Sequence, residues 1–360
     1  MRKILIVITT GFVPTGGLAS VMMNYYRNID KRGLAIDFAS TNNAPKMLTD
    51  ELEANESHYI KLPPRKNVLG YIYALKKICA NYDVIHVNGN SATAAIELIA
   101  AKMAGVKVII AHNHNTKTEH PLIHAMLLPI FRRCYTIGLA CSEQAGNWLF
   151  GDGKFKVLRN AVDIEKYHYN NTSRKKQRKS LGIPQDTFVI GHVGKYNAQK
   201  NHLKLLEVFY EYQKFHENSY LVAVGYGSLQ YKIEDYAKEL GIAEKVILTG
   251  ERTDIPDLLS LMDFFVFPSQ WEGLGLAVIE AQASGLPCLL SEIIPQEVYL
   301  SDHVASLSLS QTADIWARKI NEMIVSNRER QCERNAESIT KGGYNIKVEA
   351  KELLKLYMIK

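Results

Sequence analysis

Apolar runs such as Ile4–Ile8 and Leu286–Leu290 fall far short of the ~20 residues that a bilayer-spanning helix needs. The basic pair Arg2-Lys3 is followed by too short an apolar stretch for a secretory leader, so a cytoplasmic location is expected. Cysteine is scarce. Cys79, Cys134, Cys141, Cys288 and Cys332 are odd in number and never spaced C-x-x-C, which argues against a disulfide framework and a zinc site and predicts buried, reduced thiols. The first glycine loop cannot be written as G-x-G-x-x-G, nor the loop from Gly194 as G-x-x-x-x-G-K-[ST]. A nicotinamide dehydrogenase and a P-loop nucleotidase therefore lose their main support. No D-x-D metal motif is seen in a strand-end loop, and the expectation is that no metal or cofactor takes part.

What is present is the composition of a folded protein. Hydrophobic residues make up 47% and charged residues 22%, which excludes a disordered or fibrous chain. A length of 360 residues suits two domains, each long enough to close its own core. Residues 1–165 hold 19 Lys+Arg against 13 Asp+Glu, and the remainder is balanced, so the whole excess of +6 lies in the first half. That asymmetry points to an anionic partner, a membrane face or an acidic ligand. Nucleic acid is not expected, because no basic stretch there is interleaved with aromatic residues. The densest basic run, residues 174–179, falls in the second half and reads as a solvated helix face beside a linker.

Short β-branched runs alternate with helical patterns throughout, as strands buried on both faces do. In the first half strands are expected at Lys3–Thr9, Ala35–Ser40, Val84–Val87, Lys107–Ala111, Ile137–Ala140 and Lys156–Leu158, with a helix over Ser20–Ile29. A second series runs through Thr187–Val193, Ser219–Val224, Lys245–Leu248, Phe264–Phe267 and Pro287–Leu290. Its helices are expected at Leu203–Phe215, Leu229–Leu240 and Leu276–Ser284, with Asp314–Asn327 and Asn345–Tyr357 closing the chain. Asn160–Pro184 lacks an apolar period and reads as the connection. The expectation is an α/β protein of two doubly wound domains, 1–165 and 166–340, then a C-terminal helix over 341–360 packing back on the first domain. Ligands in such sheets bind at the carboxyl ends of strands, in the cleft between the domains.

Five loops carry chemistry-bearing residues. Gly16-Gly17 precedes a helix and lets backbone N–H groups approach an anion or a sugar hydroxyl. His112, Asn113, His114 and Asn115 cluster where an open sheet places its active groups. Lys195 and Lys200 flank a strand-to-helix turn and can both point at a diphosphate. Val224–Ser228 is another glycine-bearing strand end. Glu272 and Glu280 lie in the loop and helix that follow Phe264–Phe267. On a helix they stand ~12 Å apart, beyond the roughly 5–9.5 Å of glycosidase acid/base pairs, so they suit two grips on one extended ligand.

In this order and spacing the residues resemble the retaining glycosyltransferases of family 4, with the GT-B fold of two Rossmann-like domains. The resemblance runs over nearly the entire chain, from the Gly16-Gly17 loop through Ala111–Thr116, Leu158–Asp163, Gly194–Asn201, Val224–Gly227 and Leu248–Ile255 to the E-x7-E of Glu272 and Glu280 and the C-terminal helix. It is greatest to members that build bacterial capsule, exopolysaccharide or lipopolysaccharide. It implies an acceptor-binding first domain and a nucleotide-sugar-binding second domain. Lys195 and Lys200 would neutralise the donor diphosphate, with Lys195 standing where the family usually has Arg. Glu280 would hold the ribose and Glu272 the donor sugar. The backbone of Leu274, Gly275 and Leu276 would meet the phosphates, Gly16-Gly17 would sit near phosphate and acceptor, and Arg252 and Thr253 would lie near the base. The catalytic histidine falls at His114 or His112, with His114 favoured. A UDP-sugar donor, a lipid-linked or oligosaccharide acceptor, transfer with retention and without a metal, and attachment to an anionic membrane surface are what the resemblance and the charge imply together. The alternatives are a GT-B epimerase or phosphorylase, or a non-catalytic nucleotide-sugar-binding component.

Overall fold

A computed structural model describes residues 1–13, 17–118, 120–324 and 327–359. The chain divides into Met1–Ala161 with Ile346–Lys360 as one unit and Val162–Asn345 as a second. The divisions fall at Ala161/Val162 and Asn345/Ile346, a few residues from the bounds read off the sequence.

The first unit holds seven parallel strands: β1 (Arg2–Ile8), β2 (Leu34–Ser40), β3 (Tyr59–Lys61), β4 (Val84–Gly89), β5 (Val108–Asn113), β6 (Ile137–Ala140) and β7 (Lys156–Val157). Their order is β3-β2-β1-β4-β5-β6-β7, so the winding reverses between β1 and β4. At such a switch point helices diverge to opposite faces and leave a crevice at the carboxyl ends of the strands. The β1 run Ile4–Ile8 is wholly buried, as expected of a central strand covered on both faces. The sequence ends the fifth strand at Ala111, where polarity begins, but pairing continues through His112 and Asn113 opposite Asn88 and Gly89. β3, a three-residue edge strand of half-exposed residues, has no alternation long enough to be legible. The final helix Ile346–Tyr357 belongs to this unit and packs on the first helix, Gly17–Asn28.

The second unit holds six parallel strands: β8 (Phe188–Val193), β9 (Ser219–Val224), β10 (Val246–Leu248), β11 (Phe264–Phe267), β12 (Cys288–Ser291) and β13 (Val304–Leu307). Their order is β10-β9-β8-β11-β12-β13, with the reversal between β8 and β11. The supposed connection at 160–184 contains the helix Asn171–Ser180, started by the Asn170 side chain accepting from Ser173 N–H. Its basic run is a solvated face only at Lys175, Lys176 and Lys179, while the two arginines turn inward. Arg178 is fully buried and, with Arg174, grips the two carboxylate oxygens of Asp263 at 2.7 Å each. Arg178 also donates to the carbonyls of Thr187 and Leu261. A charge without apolar period is here a pair of internal bolts, because each guanidinium finds fixed acceptors.

The helix expected over Asp314–Asn327 spans Ala313–Glu322, and Val325 and Ser326 lie outside the described residues. All five cysteines are buried and free. Among the described residues no helix is long and apolar enough to cross a membrane.

Candidate active site

Each unit carries its polar cluster at the carboxyl ends of its strands, on β4 and β5 beside the switch point in the first and at the β8/β11 switch point in the second. In the first unit β4 and β5 end in Asn88-Gly89 and His112-Asn113, with His114 N–H bonded to the Gly89 carbonyl at 3.2 Å. Three imidazoles form a row. His86 Nδ1 meets the Tyr357 hydroxyl at 2.7 Å, His86 Nε2 meets His112 Nδ1 at 3.2 Å, and the His112 and His114 rings lie 3.9 Å apart. His86 and His112 are buried in the sheet. His114 is partly exposed at its end, although its Nδ1 is inaccessible.

Burial, reinforced by like-charge repulsion from His114, pushes His86 down to about 3. Burial pushes His114 to about 4 against the opposing Asn160 amide, and His112 also lies well below the ordinary histidine range. All three are neutral at pH 7. The tautomer of His114 follows from its neighbour. Asn88 donates its amide N–H to the His86 carbonyl at 3.4 Å, which turns Oδ1 toward His114 Nε2 at 3.0 Å. An oxygen there only accepts, so the neutral ring carries its proton on Nε2 and keeps its lone pair on the enclosed Nδ1. That Nδ1 has no protein partner. Between the two candidate histidines, His114 is the one at the strand end, whereas His112 is held inside the sheet.

Of the glycine pair, Gly16 lies outside the described residues. Gly17 opens its helix, and a Cβ placed there would meet nothing within 4 Å.

In the second unit Lys200 and Glu272 are joined to each other. Lys200 Nζ lies 2.5 Å from Glu272 Oε1, with the two side chains only 15% and 7% exposed, and 4.5 Å above the Phe267 ring. The sequence separates them by seventy-two positions; the β8/β11 adjacency and the bonds Gln270 N–H to Gln199 O and Gln199 Nε2 to Trp271 O bring their loops together. Lys195 is exposed, its Nζ 6.0 Å from the Tyr226 ring centroid.

The loop backbones are close-packed: a Cβ on Gly225, whose φ is 151°, would fall 2.0 Å from the Gly194 carbonyl oxygen. Gly275 takes φ 84° at the start of the helix Leu276–Ala283, a left-handed turn that a side chain would strain. Leu274 and Leu276 pack on the core beside it.

Glu280, one turn into that helix, accepts from the Tyr167 hydroxyl at 2.8 Å. Burial raises its carboxyl pKa, opposed by the Tyr167 bond. Arg252 is engaged by Asp254 through a fork of 2.7 and 2.6 Å, and Thr253 is exposed beside it after the edge strand β10. Neither is joined by a hydrogen bond to the Lys200–Glu272 pair.

Reading the sequence missed His86, Asn88, Tyr357 and Tyr167. His86 and Asn88 alternate along β4 and thus share one face, a period-two signal in an otherwise apolar strand. Nothing local in the sequence marks Tyr357 or Tyr167. Among the described residues no group of three or more His, Cys, Asp or Glu side chains is placed to hold a metal ion.

Comparison with known proteins bears on the family and the fold. Residues 15–166 match the model described as Glycosyltransferase Family 4, and residues 173–339 match Glycosyl transferases group 1. The putative glycosyltransferase EpsF of Bacillus subtilis is 31% identical over 361 residues, covering 96% of this chain and 94% of that protein. An Escherichia coli UDP-Gal:alpha-D-GlcNAc-diphosphoundecaprenol alpha-1,3-galactosyltransferase is 33% identical over 63% of this chain and 62% of its own. The crystal structure of Anabaena Alr3699/HepE with UDP and glucose superposes with a TM-score of 0.79 at 17% identity over 99% of both chains, a likeness of fold. With both halves matched in order and a relative aligned along almost its whole length, the chain belongs to the family-4 glycosyltransferases of GT-B fold.

Proposed function

We propose that this glycosyltransferase moves a sugar from a UDP-sugar to a lipid-linked or oligosaccharide acceptor in the synthesis of a bacterial surface polysaccharide, with retention at the anomeric carbon and without a metal ion, at an anionic membrane surface. The observation that carries this reading is the Lys200–Glu272 pair at the β8/β11 switch point, with Glu280 in the helix that follows the Glu272 loop. The activity for which the Escherichia coli relative is named and the UDP in the Anabaena complexes support the choice of nucleotide and acceptor.

The chemistry asks the protein to stabilise a departing diphosphate. In front-face transfer the bond from the anomeric carbon to the phosphate oxygen breaks while the acceptor oxygen bonds to the same face. The leaving phosphate oxygen then takes the acceptor proton. Two lysines and the amides that open the helix Leu276–Ala283 supply positive potential to the diphosphate. Lys200 exchanges Glu272 for phosphate, and the released Glu272 turns to a hydroxyl of the donor sugar. Glu280, held by Tyr167, accepts from the ribose hydroxyls. His114, neutral and held through Nε2 by Asn88, is the first unit's contribution to the reaction.

A thermal-shift panel of UDP-, GDP- and ADP-sugars tests the donor class; stabilisation by UDP-sugars alone is expected. Proton NMR of the product then tests stereochemistry, and an inverted anomer overturns the mechanism.

A further inference from the structure

The helix Pro121–Phe131, PLIHAMLLPIF, carries no charged residue, and Phe131 is its one buried side chain. Leu122 is 80% and Met126 76% exposed, with Ile123 and Ile130 also exposed. A helix apolar nearly all round belongs in a core or against lipid, not in water. Its sole polar side chain is spent inside the protein: His124 Nδ1 accepts from Ala92 N–H at 3.2 Å, and its ring lies 4.6 Å from that of Trp148. The helix is therefore pinned on its inner side and uncovered on its outer side.

What fits the uncovered side follows from its length and its rim. Eleven residues at 1.5 Å each reach about 16 Å, half the hydrocarbon core of a bilayer, so the helix can lie in an interface but not cross it. Lys117 precedes it, exposed Arg132 and Arg133 follow it, and Lys102 is tied to the Arg133 carbonyl at 2.5 Å. The only acid from 117 to 133 is Glu119, which lies outside the described residues. A second copy of the chain docking here by a two-fold axis would set one basic rim against another, a like-charge juxtaposition. Anionic headgroups complement it instead.

We propose that Pro121–Phe131 is the element that seats the protein on an anionic lipid surface, with Leu122, Ile123 and Met126 entering the boundary between headgroups and acyl chains and Lys117, Arg132 and Arg133 meeting headgroup phosphates. The reading of a lipid-linked acceptor gives this seat its purpose, while the helix alone gives its evidence.

The test uses the full chain with vesicles of phosphatidylglycerol and of phosphatidylcholine. Co-sedimentation with phosphatidylglycerol only is expected, falling as salt rises past about 0.15 M, where the Debye length is ~8 Å. Leu122→Glu with Met126→Glu should lower that binding tenfold or more and leave calorimetric UDP affinity unchanged. A polarity-sensitive label on Met126→Cys should shift to the blue on these vesicles, and one on Tyr231→Cys, exposed in the second unit, should not. Vesicle binding that survives the double substitution, equal binding to both lipids, or a dimer in sedimentation that the double substitution dissolves while no vesicle is bound would overturn the proposal. A chain that binds vesicles as described yet binds no nucleotide would overturn the functional reading and uphold the membrane seat.

Discussion

The strand ends of the two units hold polar groups by opposite means. In the first unit three imidazoles are kept neutral by burial, and their order comes from hydrogen bonds to Asn88 and Tyr357. In the second, full charges meet at short range in the Lys200–Glu272 pair. A neutral cluster can present a fixed acceptor with little rearrangement, whereas an ion pair has to be opened before either member can grip a ligand. The difference predicts that substitutions in the first unit act on turnover, and those in the second on donor binding and on stability together.

The largest effect is expected from Lys200→Ala, which strands Glu272 at 7% exposure. Breaking a buried pair on one side costs about 3–5 kcal/mol, read by denaturant unfolding, and donor affinity should be lost as well. Lys200→Ala with Glu272→Ala should recover much of the stability and none of the affinity. A double variant as unstable as the single one would mean that the pair is not the source of the loss.

Next comes His114→Ala, expected to reduce kcat about a hundredfold while leaving UDP affinity intact, the pattern of a contact made in the transition state. His112→Ala should act chiefly on stability, through the bond to His86. If His112→Ala behaves as predicted for His114, the assignment of the two is reversed.

The glutamates should separate in calorimetry, each change worth about ten- to a hundredfold. Glu280→Gln should weaken UDP and UDP-sugar alike. Glu272→Gln should weaken the sugar donor but leave UDP as tight or tighter, because Lys200 is released for the phosphate. Glu280 adds a stability signature. A carboxyl raised by burial makes folding less favourable as pH climbs through its ordinary value near 4.5 toward its folded one, so Glu280→Gln should raise Tm at pH 7 and not at pH 4.

A smaller effect concerns acid. For a histidine whose folded pKa is lowered, the unfolded chain binds more protons below about pH 6.5, and stability falls from there toward the folded value. His86 at about 3, with His114 and His202 at about 4, should make unfolding begin between pH 6 and 4. His202→Phe should shift that midpoint downward. The smallest is a shift of the pH profile: Asn88→Asp keeps the acceptor on His114 Nε2 but adds charge, so the acidic limb of kcat should move upward.

Most of the fold was legible because most parallel strands are short apolar runs and each site loop follows one; β3 and β13, short and only partly buried, were missed. The strand ends were less so: His112 and Asn113 look like loop, yet pair across to β4 because their side chains find partners inside the sheet. Lys200, Glu272 and Glu280 were visible as residues, but their pairings were not. Glu272 meets Lys200 through strand adjacency, and Glu280 meets Tyr167 across 113 positions of sequence. Asn171–Ser180 misled for a related reason, since an arginine bolted to Asp263 and one in water are the same letter.

One feature of the chain path governs how the protein is made. The first unit is finished by Ile346–Tyr357, whose Tyr357 hydroxyl holds His86 beneath the strand ends. During synthesis Tyr357 has to leave the ribosome before that histidine acquires its partner, whereas the second unit, contiguous from Val162 to Asn345, is released earlier. The unit whose strands are made first is thus the one that matures last, and a nascent chain stalled short of Tyr357 would present a finished second unit beside an unfinished histidine cluster.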